Sequence, residues 1–241
     1  MGSSYTKLNS NNYKFLEKFL DTTKANLFFA KGVILVEGSS EEILIPSIAK
    51  SIGINLTEKG VSIVNIGNTG FDHYSKIYLR NEEPYMNIPV AVITDSDVRE
   101  YEKNGNEFVK REEGIIQDKS KVAVDLNNEK SEQSVSFFTA QNWTLEYALF
   151  KSTSITTAFQ KVCKTIHSKT DWEKDFEKTL AIKLIDKNSK LKKTEVAYRL
   201  ANVLDEDLEK TEKERAIIID PDNEDDSINY LIQAIRYATG N

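Results

Sequence analysis

The sequence predicts an α/β fold in which a central, mostly parallel sheet is flanked by helices and followed by a C-terminal helical subdomain. Three short apolar runs, at residues 32–36, 61–66 and 89–93, are typical of strands buried on both faces. Helical patterns separate these runs, and such β-α-β-α-β alternation indicates parallel strands joined by crossover helices. After residue 143 the pattern is helical throughout, which predicts the subdomain.

Each further element follows from its local pattern. Residues 98–120 are polar and lack a clear period, so we expect an irregular excursion or a flexible loop there. Short strands are expected at residues 122–124 and 135–138. Apolar side chains at helical spacing predict helices at residues 11–29, 40–52, 143–150, 157–167, 172–187, 194–208 and 227–238, and another that begins after the turn Gly67–Gly70.

These elements divide the chain of 241 residues into three expected parts. A lead-in helix occupies residues 1–30, the α/β core residues 31–150, and the helical subdomain residues 151–241. Residues 1–4 look like the remnant of an expression tag and do not enter the fold prediction.

Composition excludes several classes of protein and site. No apolar run approaches the roughly 18 residues of a membrane-spanning helix, so we expect no membrane association. The single cysteine, Cys163, excludes an internal disulfide framework, and with only two histidines it also excludes a cysteine/histidine zinc cage. Since no signal peptide is recognisable, a reducing cytoplasm is the expected location.

The net charge of −6 hides a strong asymmetry. Residues 183–199 hold six lysine or arginine residues against two acids, whereas residues 205–226 hold eleven acids against three basic residues. A basic strip of this kind can follow a phosphate backbone if the acidic segment lies elsewhere. The overall acidity therefore does not exclude nucleic acid as a partner.

Acidic residues stand at the ends of two predicted strands. Glu37 closes the first strand and Glu41 lies in the first turn of the next helix, while Asp95 and Asp97 close the third strand. Two residues apart in an extended chain, Asp95 and Asp97 should project to the same side. Sites in open parallel sheets form beyond the carboxyl ends of strands, and clustered carboxylates favour Mg²⁺, Mn²⁺ or Ca²⁺. Taken alone, an Asp-x-Asp at a strand end is more often a turn than a metal site.

These residues resemble a known family. Val36-Glu37-Gly38 with Glu41, followed by Asp95-Ser96-Asp97 after an apolar strand, resembles the Toprim domain shared by topoisomerases, primases and certain nucleases. The run from Leu27 to Pro46 is similar to the entry into this Rossmann-like fold in the OLD (overcoming lysogenization defect) family of endonucleases.

Two later motifs carry the same resemblance. Thr144-Leu145-Glu146 resembles the third acidic motif of the family, and the segment Lys193 to Ala197 resembles its lysine motif. The family often has glycine where Thr194 stands, so Lys192 is the alternative lysine. Without the resemblance, Glu146 could equally be a solvated acid on a helix. Lys193 would then be taken as one lysine of a solvated cluster.

The resemblance implies a metal-dependent DNA endonuclease that uses Mg²⁺ or Mn²⁺ in a two-metal site, with a role in phage defence. Catalytic roles fall to Glu37, Asp95 and Lys193. The implied metal ligands are Glu37, Glu41, Asp95, Asp97 and Glu146. The resemblance also implies an ABC-type ATPase domain, which in OLD proteins precedes the nuclease domain. This chain has no Gly-Lys dipeptide and hence no Walker A loop. The expected ATPase partner is therefore a domain of a longer protein or a separate chain.

Two alternative functions remain open at the level of the sequence. A haloacid-dehalogenase-like phosphatase would use Asp95 as nucleophile and Asp97 as acid/base, although its Asp-x-Asp normally closes the first strand of the domain. A Toprim-like domain could also lack catalysis and serve as an oligomerisation or partner-docking module.

Overall fold

Four parallel strands form the central sheet, in the spatial order 61–65, 32–36, 90–94 and 135–139. The computed structural model describes residues 5–19, 24–67, 70–105 and 107–240. Its strands are β1 (Gly32–Val36), β2 (Val61–Asn65), β3 (Val90–Thr94), β4 (Tyr101–Asn104), β5 (Glu107–Lys110) and β6 (Val135–Thr139). Leu35 in β1 pairs with Val64 on one side and with Val92 on the other, so β1 lies in the interior of the sheet. The predicted α/β fold with a parallel sheet is confirmed.

Helices cover both faces of this sheet, as the sequence predicts. They are α1 (Ser10–Phe19), α2 (Ser39–Ser51), α3 (Leu56–Lys59), α4 (Phe71–Ser75), α5 (Glu113–Asn128), α6 (Leu145–Lys151), α7 (Thr156–Ile166), α8 (Phe176–Ile185), α9 (Lys193–Leu208) and α10 (Asn229–Thr239). Alternate residues of β1 point to opposite faces. Ile34 packs in a core with α2, α6, α7, α9 and α10, whereas Leu35 packs in a second core with α1 and α4.

The last helix returns to the first strand. Helix α10 packs against β3, β1 and β6, so the C-terminal helices and the sheet share one hydrophobic core. Gly32 permits this close approach, because a Cβ atom at that position would lie 1.9 Å from the carbonyl oxygen of Ala238. The position of α10 therefore depends on the absence of a side chain at the start of β1.

The segment between β3 and β6 differs from its prediction. Residues 98–120 are not an irregular loop, since they form the antiparallel hairpin β4–β5 and the start of α5. The predicted strand at residues 122–124 is wrong, because this segment lies inside α5. That helix is largely exposed and buries only Ile116 and Ser120. It therefore has no clear helical period of apolar residues, and the short apolar run around Val122 resembles a strand.

The remaining helices lie close to their predicted positions. The lead-in segment contains α1 and a 3₁₀ helix at Lys24–Phe28, while residues 20–23 and 1–4 lie outside the described residues. The predicted turn at 67–70 is described only at its two glycines. Within the described ranges no helix is long and apolar enough to cross a membrane.

Candidate active site

Acidic side chains collect at the carboxyl edge of the sheet. Glu37 follows β1 and Asp95 follows β3, and these two strands are hydrogen-bonded neighbours. Glu41 lies in the first turn of α2, and Glu146 in the first turn of α6, the helix that follows β6. The parallel topology therefore brings residues from distant parts of the sequence to one edge.

Four of these carboxylates act electrostatically on one another, and we call them the acidic cluster. They are Glu37, Glu41, Asp95 and Glu146. Burial raises the pKa of Asp95 well above its ordinary value, and the negative charges of the other three raise it further. Burial also raises the pKa of Glu37 and of Glu41. Like charges disfavour each other's ionised form, so the cluster favours a bound cation.

Two threonines orient carboxylates of the cluster. The Thr94 hydroxyl at the end of β3 donates to Oε1 of Glu37 at 2.6 Å, and the Thr144 hydroxyl donates to Oε2 of Glu146 at 3.0 Å. Thr144 also caps α6 by accepting from the backbone N–H of Tyr147. Thr94 could not be recognised as a site residue from the sequence, because a threonine at the end of a strand is not by itself typical of any kind of site.

Asp97 occupies a different position from the one predicted. Strand β3 ends at Thr94, and Asp97 adopts a left-handed backbone conformation with φ of 57°. Its N–H donates to the carbonyl oxygen of Trp143 at 3.1 Å, and its side chain is exposed. The expected extended Asp-x-Asp is therefore wrong in its backbone. The charge of Asp97 nevertheless raises the pKa of Glu37, which places Asp97 at the exposed edge of the acidic cluster.

Lys193, the first residue of α9, reaches the cluster. Its Nζ lies 2.8 Å from Oε2 of Glu146, whose side chain is only 4% exposed. Burial lowers the pKa of Lys193, but the charges of Glu146, Asp95 and Glu41 raise it above the ordinary value. Lys192 instead pairs with the exposed Glu195, at 3.1 Å. Of the two lysines that the sequence left open, Lys193 is the one beside the acidic cluster.

The start of α9 is held in a way that the sequence did not indicate. Thr194 lies inside the helix, and Lys192 occupies the N-cap position without a capping side-chain hydrogen bond. The Lys192 backbone N–H donates to Nε2 of His167 at 3.3 Å. This histidine thus helps to fix the helix end that carries Lys193.

The basic strip at residues 183–199 has fewer side chains available for contacts with a phosphate backbone than its composition indicates. Lys183 is buried, with its Nζ 5.8 Å from the centre of the Trp172 ring, and burial lowers its pKa. Arg199 pairs with Glu195. The exposed lysines of the strip are Lys187, Lys190, Lys192 and Lys193.

Tyr230, on α10, also lies at the acidic cluster. Its hydroxyl is sealed from solvent and has no hydrogen-bond partner within the described residues. Burial raises its pKa well above the ordinary value, and the charges of all four clustered carboxylates add to this effect. Tyr230 carries no signal of such a role in the sequence, because a tyrosine in an amphipathic helix is typical of an ordinary core residue.

The donor set fits a hard divalent cation. Its potential ligands are carboxylate oxygens, which Mg²⁺ and Mn²⁺ prefer, and the unpaired Tyr230 hydroxyl points to a missing polar partner. Over the described residues, no three Asp, Glu, His or Cys side chains are gathered tightly enough to cage an ion. The carboxylates are therefore neighbours and not a closed coordination shell.

Comparisons with known proteins agree with this architecture. Residues 28–97, which contain Glu37, Glu41, Asp95 and Asp97, match the family model "Overcoming lysogenization defect protein-like, TOPRIM domain". The C-terminal region of the OLD protein of Xanthomonas campestris pv. campestris has the same fold, with a TM-score of 0.50 at 19% identity over 89% of this chain and 95% of that one. The C-terminal region of the Burkholderia pseudomallei OLD protein gives a TM-score of 0.47 at 22% identity, over 88% and 100% of the two chains. No curated protein sequence matches. Residues 28–97 are therefore similar to the TOPRIM domain of overcoming lysogenization defect-like proteins.

Proposed function

We propose that this chain is a metal-dependent DNA endonuclease that hydrolyses phosphodiester bonds. The observation that carries the proposal is the meeting of four carboxylates and the Lys193 ammonium at the carboxyl edge of an OLD-like Toprim sheet. A purely structural ion-pair network would not need four mutually repelling carboxylates, three of which have a raised pKa.

Divalent cations are the proposed cofactors. Toprim domains generally bind Mg²⁺. The proposed ligands of two Mg²⁺ or Mn²⁺ ions are Glu37, Glu41, Asp95, Asp97 and Glu146. When bound, such ions would lower the pKa of an attacking water and stabilise the oxygens of an in-line displacement.

The residues of the chain itself would supply orientation and positive charge. Thr94 keeps one oxygen of Glu37 in a fixed direction through its hydrogen bond. The carboxylates cannot balance negative charge that develops on a phosphoryl oxygen, whereas Lys193 can. Its ammonium has three donors, so it can hold Glu146 and a phosphoryl oxygen together.

The expected partners are DNA and an ATPase. The exposed Lys187 and Lys190 would contact the phosphate backbone. Such contacts carry no sequence information, so we expect weak sequence preference and binding that weakens with salt. OLD family proteins are ATPase–nuclease fusions, and we propose an ABC-type ATPase, in the same protein or on another chain, as the second partner.

Nicking of supercoiled plasmid with Mg²⁺ or Mn²⁺ tests the proposal. Asp95→Asn and Glu37→Gln keep the side-chain shape and should reduce cleavage to background. Lys193→Ala should lower the rate by about 10²–10³-fold, the usual cost of removing one charge-stabilising donor. Lys192→Ala is the matched control, because its side chain pairs with Glu195 and should leave the rate within a few-fold of wild type.

Four other outcomes would contradict the proposal. Cleavage that is indifferent to EDTA, or full cleavage by Asp95→Asn, excludes the mechanism. A phosphate trapped covalently on Asp95 favours the phosphatase alternative. A chain that binds DNA or a partner but never nicks with either metal is a docking module.

A further inference from the structure

The Tyr230 hydroxyl is a buried donor with no acceptor. It is sealed from solvent, and no group of the described residues forms a hydrogen bond with it. Buried hydroxyls are almost always bonded, since an unpaired one loses its hydrogen bonds to water and gains nothing in return. A purely fold-stabilising role would be served equally well by phenylalanine, which has no hydroxyl to satisfy.

The position of this hydroxyl indicates where its partner belongs. Helix α10 packs directly against β3 and β1, the two strands that end at Asp95 and Glu37. The charges of Asp95, Glu41, Glu146 and Glu37 all act on the Tyr230 hydroxyl, with Asp95 acting most strongly. None of these carboxylates accepts its proton directly. A group that enters the acidic cluster would therefore supply the acceptor that this hydroxyl lacks.

We propose that the Tyr230 hydroxyl donates a hydrogen bond to a water molecule on a divalent cation held by the acidic cluster. This inference rests on the proposed function, and it makes Tyr230 a positioning residue for the metal site. Mg²⁺ and similar ions keep several of their waters when proteins bind them, so a donor or acceptor beside the carboxylates has a natural partner.

The phenol suits this role in its protonated form. Burial and the surrounding carboxylates both raise its pKa, so it remains a neutral donor at physiological pH. It does not compete with the carboxylates as an anionic ligand. Partners that hold metal-bound groups in place usually change affinity or activity by about 10–100-fold when removed.

The test compares Tyr230→Phe with wild type in Mn²⁺ binding by calorimetry and in thermal unfolding without metal. The variant should bind Mn²⁺ about tenfold or more weakly. Without metal its melting temperature should be unchanged or higher, because it lacks the unpaired hydroxyl. Tyr237→Phe is the matched control: it lies on the same helix but packs its ring on Phe138, at 5.6 Å between ring centres, and should change neither measurement.

The other outcomes show whether the inference about Tyr230, the proposed function or both are wrong. If Tyr230→Phe binds Mn²⁺ like wild type while Asp95→Asn does not, the inference is wrong and the proposed function stands. If Tyr230→Phe loses cleavage with unchanged Mn²⁺ affinity, the hydroxyl contacts substrate and not metal-bound water. A large drop in the metal-free melting temperature overturns the inference in favour of a structural hydrogen bond. If wild type neither binds Mn²⁺ nor cleaves DNA, both proposals fall.

Discussion

Lys193 and Glu146 form an ion pair in which the carboxylate is buried and the ammonium is half-exposed, with 2.8 Å between Nζ and Oε2. The pair joins the first residue of α9 to the first turn of α6. A buried carboxylate without a counter-charge is strongly unfavourable, so this lysine stabilises the fold as well as serving in the proposed chemistry. Loss of cleavage in a Lys193 variant therefore has to be separated from loss of stability.

A double-mutant cycle makes that separation. Combining Lys193→Ala with Glu146→Gln should reveal a coupling free energy of about 1–2 kcal/mol in urea unfolding at pH 7, because the two groups share one partly buried contact. The exposed pair Lys192–Glu195 serves as the control. Its coupling should be clearly smaller, since solvent screens it. Equal coupling free energies in the two pairs would mean that the burial of Glu146 does not strengthen its ion pair with Lys193.

Glu177 is the centre of a second polar network. Its Oε1 accepts from Lys110 Nζ at 2.8 Å, from Lys151 Nζ at 2.9 Å and from the Tyr147 hydroxyl at 2.6 Å. Burial alone would raise the pKa of Glu177, but these hydrogen bonds lower it to about 2. The network ties the hairpin strand β5 to α6 and α8.

This network predicts a specific dependence of stability on pH. The folded pKa of Glu177 lies below its unfolded value of 4.5, so its stabilisation is complete above that value and is lost as pH falls toward 2. Glu177→Gln should lower the free energy of unfolding by about 2 kcal/mol at pH 7 and by progressively less between pH 4.5 and 2. Glu173→Gln, whose carboxylate is 80% exposed, should have little effect at any pH. A constant difference for Glu177→Gln across this range would contradict the assignment.

The sheet and the acids at its edge could be predicted from the sequence because local pattern determines both. A continuous apolar run such as Val33–Val36 can be satisfied only by a strand buried on both faces, and here it is. Parallel crossover topology then brings the ends of neighbouring strands together. Glu37 and Asp95 are therefore neighbours, as predicted.

Tertiary packing decided the features that local pattern did not reveal. Tyr230 and Lys183 became part of buried environments only because their helices pack against particular partners. The helix containing Val122 was missed because it buries few side chains and so has almost no apolar period. The left-handed conformation of Asp97 depends on a hydrogen bond to Trp143, a contact that no local pattern specifies.

Cys163 should be chemically inert in the folded protein. The cysteine is fully buried in α7, and burial, with a smaller effect of the Glu146 charge, raises the pKa of its thiol to about 12. The thiolate is the reactive form, so alkylation or disulfide exchange at pH 8 should be very slow. Titration with a thiol reagent should detect no thiol in the native protein and one per chain in urea. Rapid reaction of native protein would show that α7 opens readily.

The contact between β1 and α10 predicts the cost of adding a single methyl group. Gly32→Ala would place Cβ 1.9 Å from the Ala238 carbonyl oxygen, a distance that only a shift of the α10 backbone can relieve. We expect a loss of about 1–3 kcal/mol in the free energy of unfolding, as for other overpacked cores. Since α10 also carries Tyr230, the shift should weaken Mn²⁺ binding as well. Gly114→Ala is the matched control, because its Cβ meets no atom within 4 Å and α5 should gain up to about 0.5 kcal/mol from the better helix former. If Gly32→Ala is as stable as wild type, α10 does not lie against the start of β1 in solution.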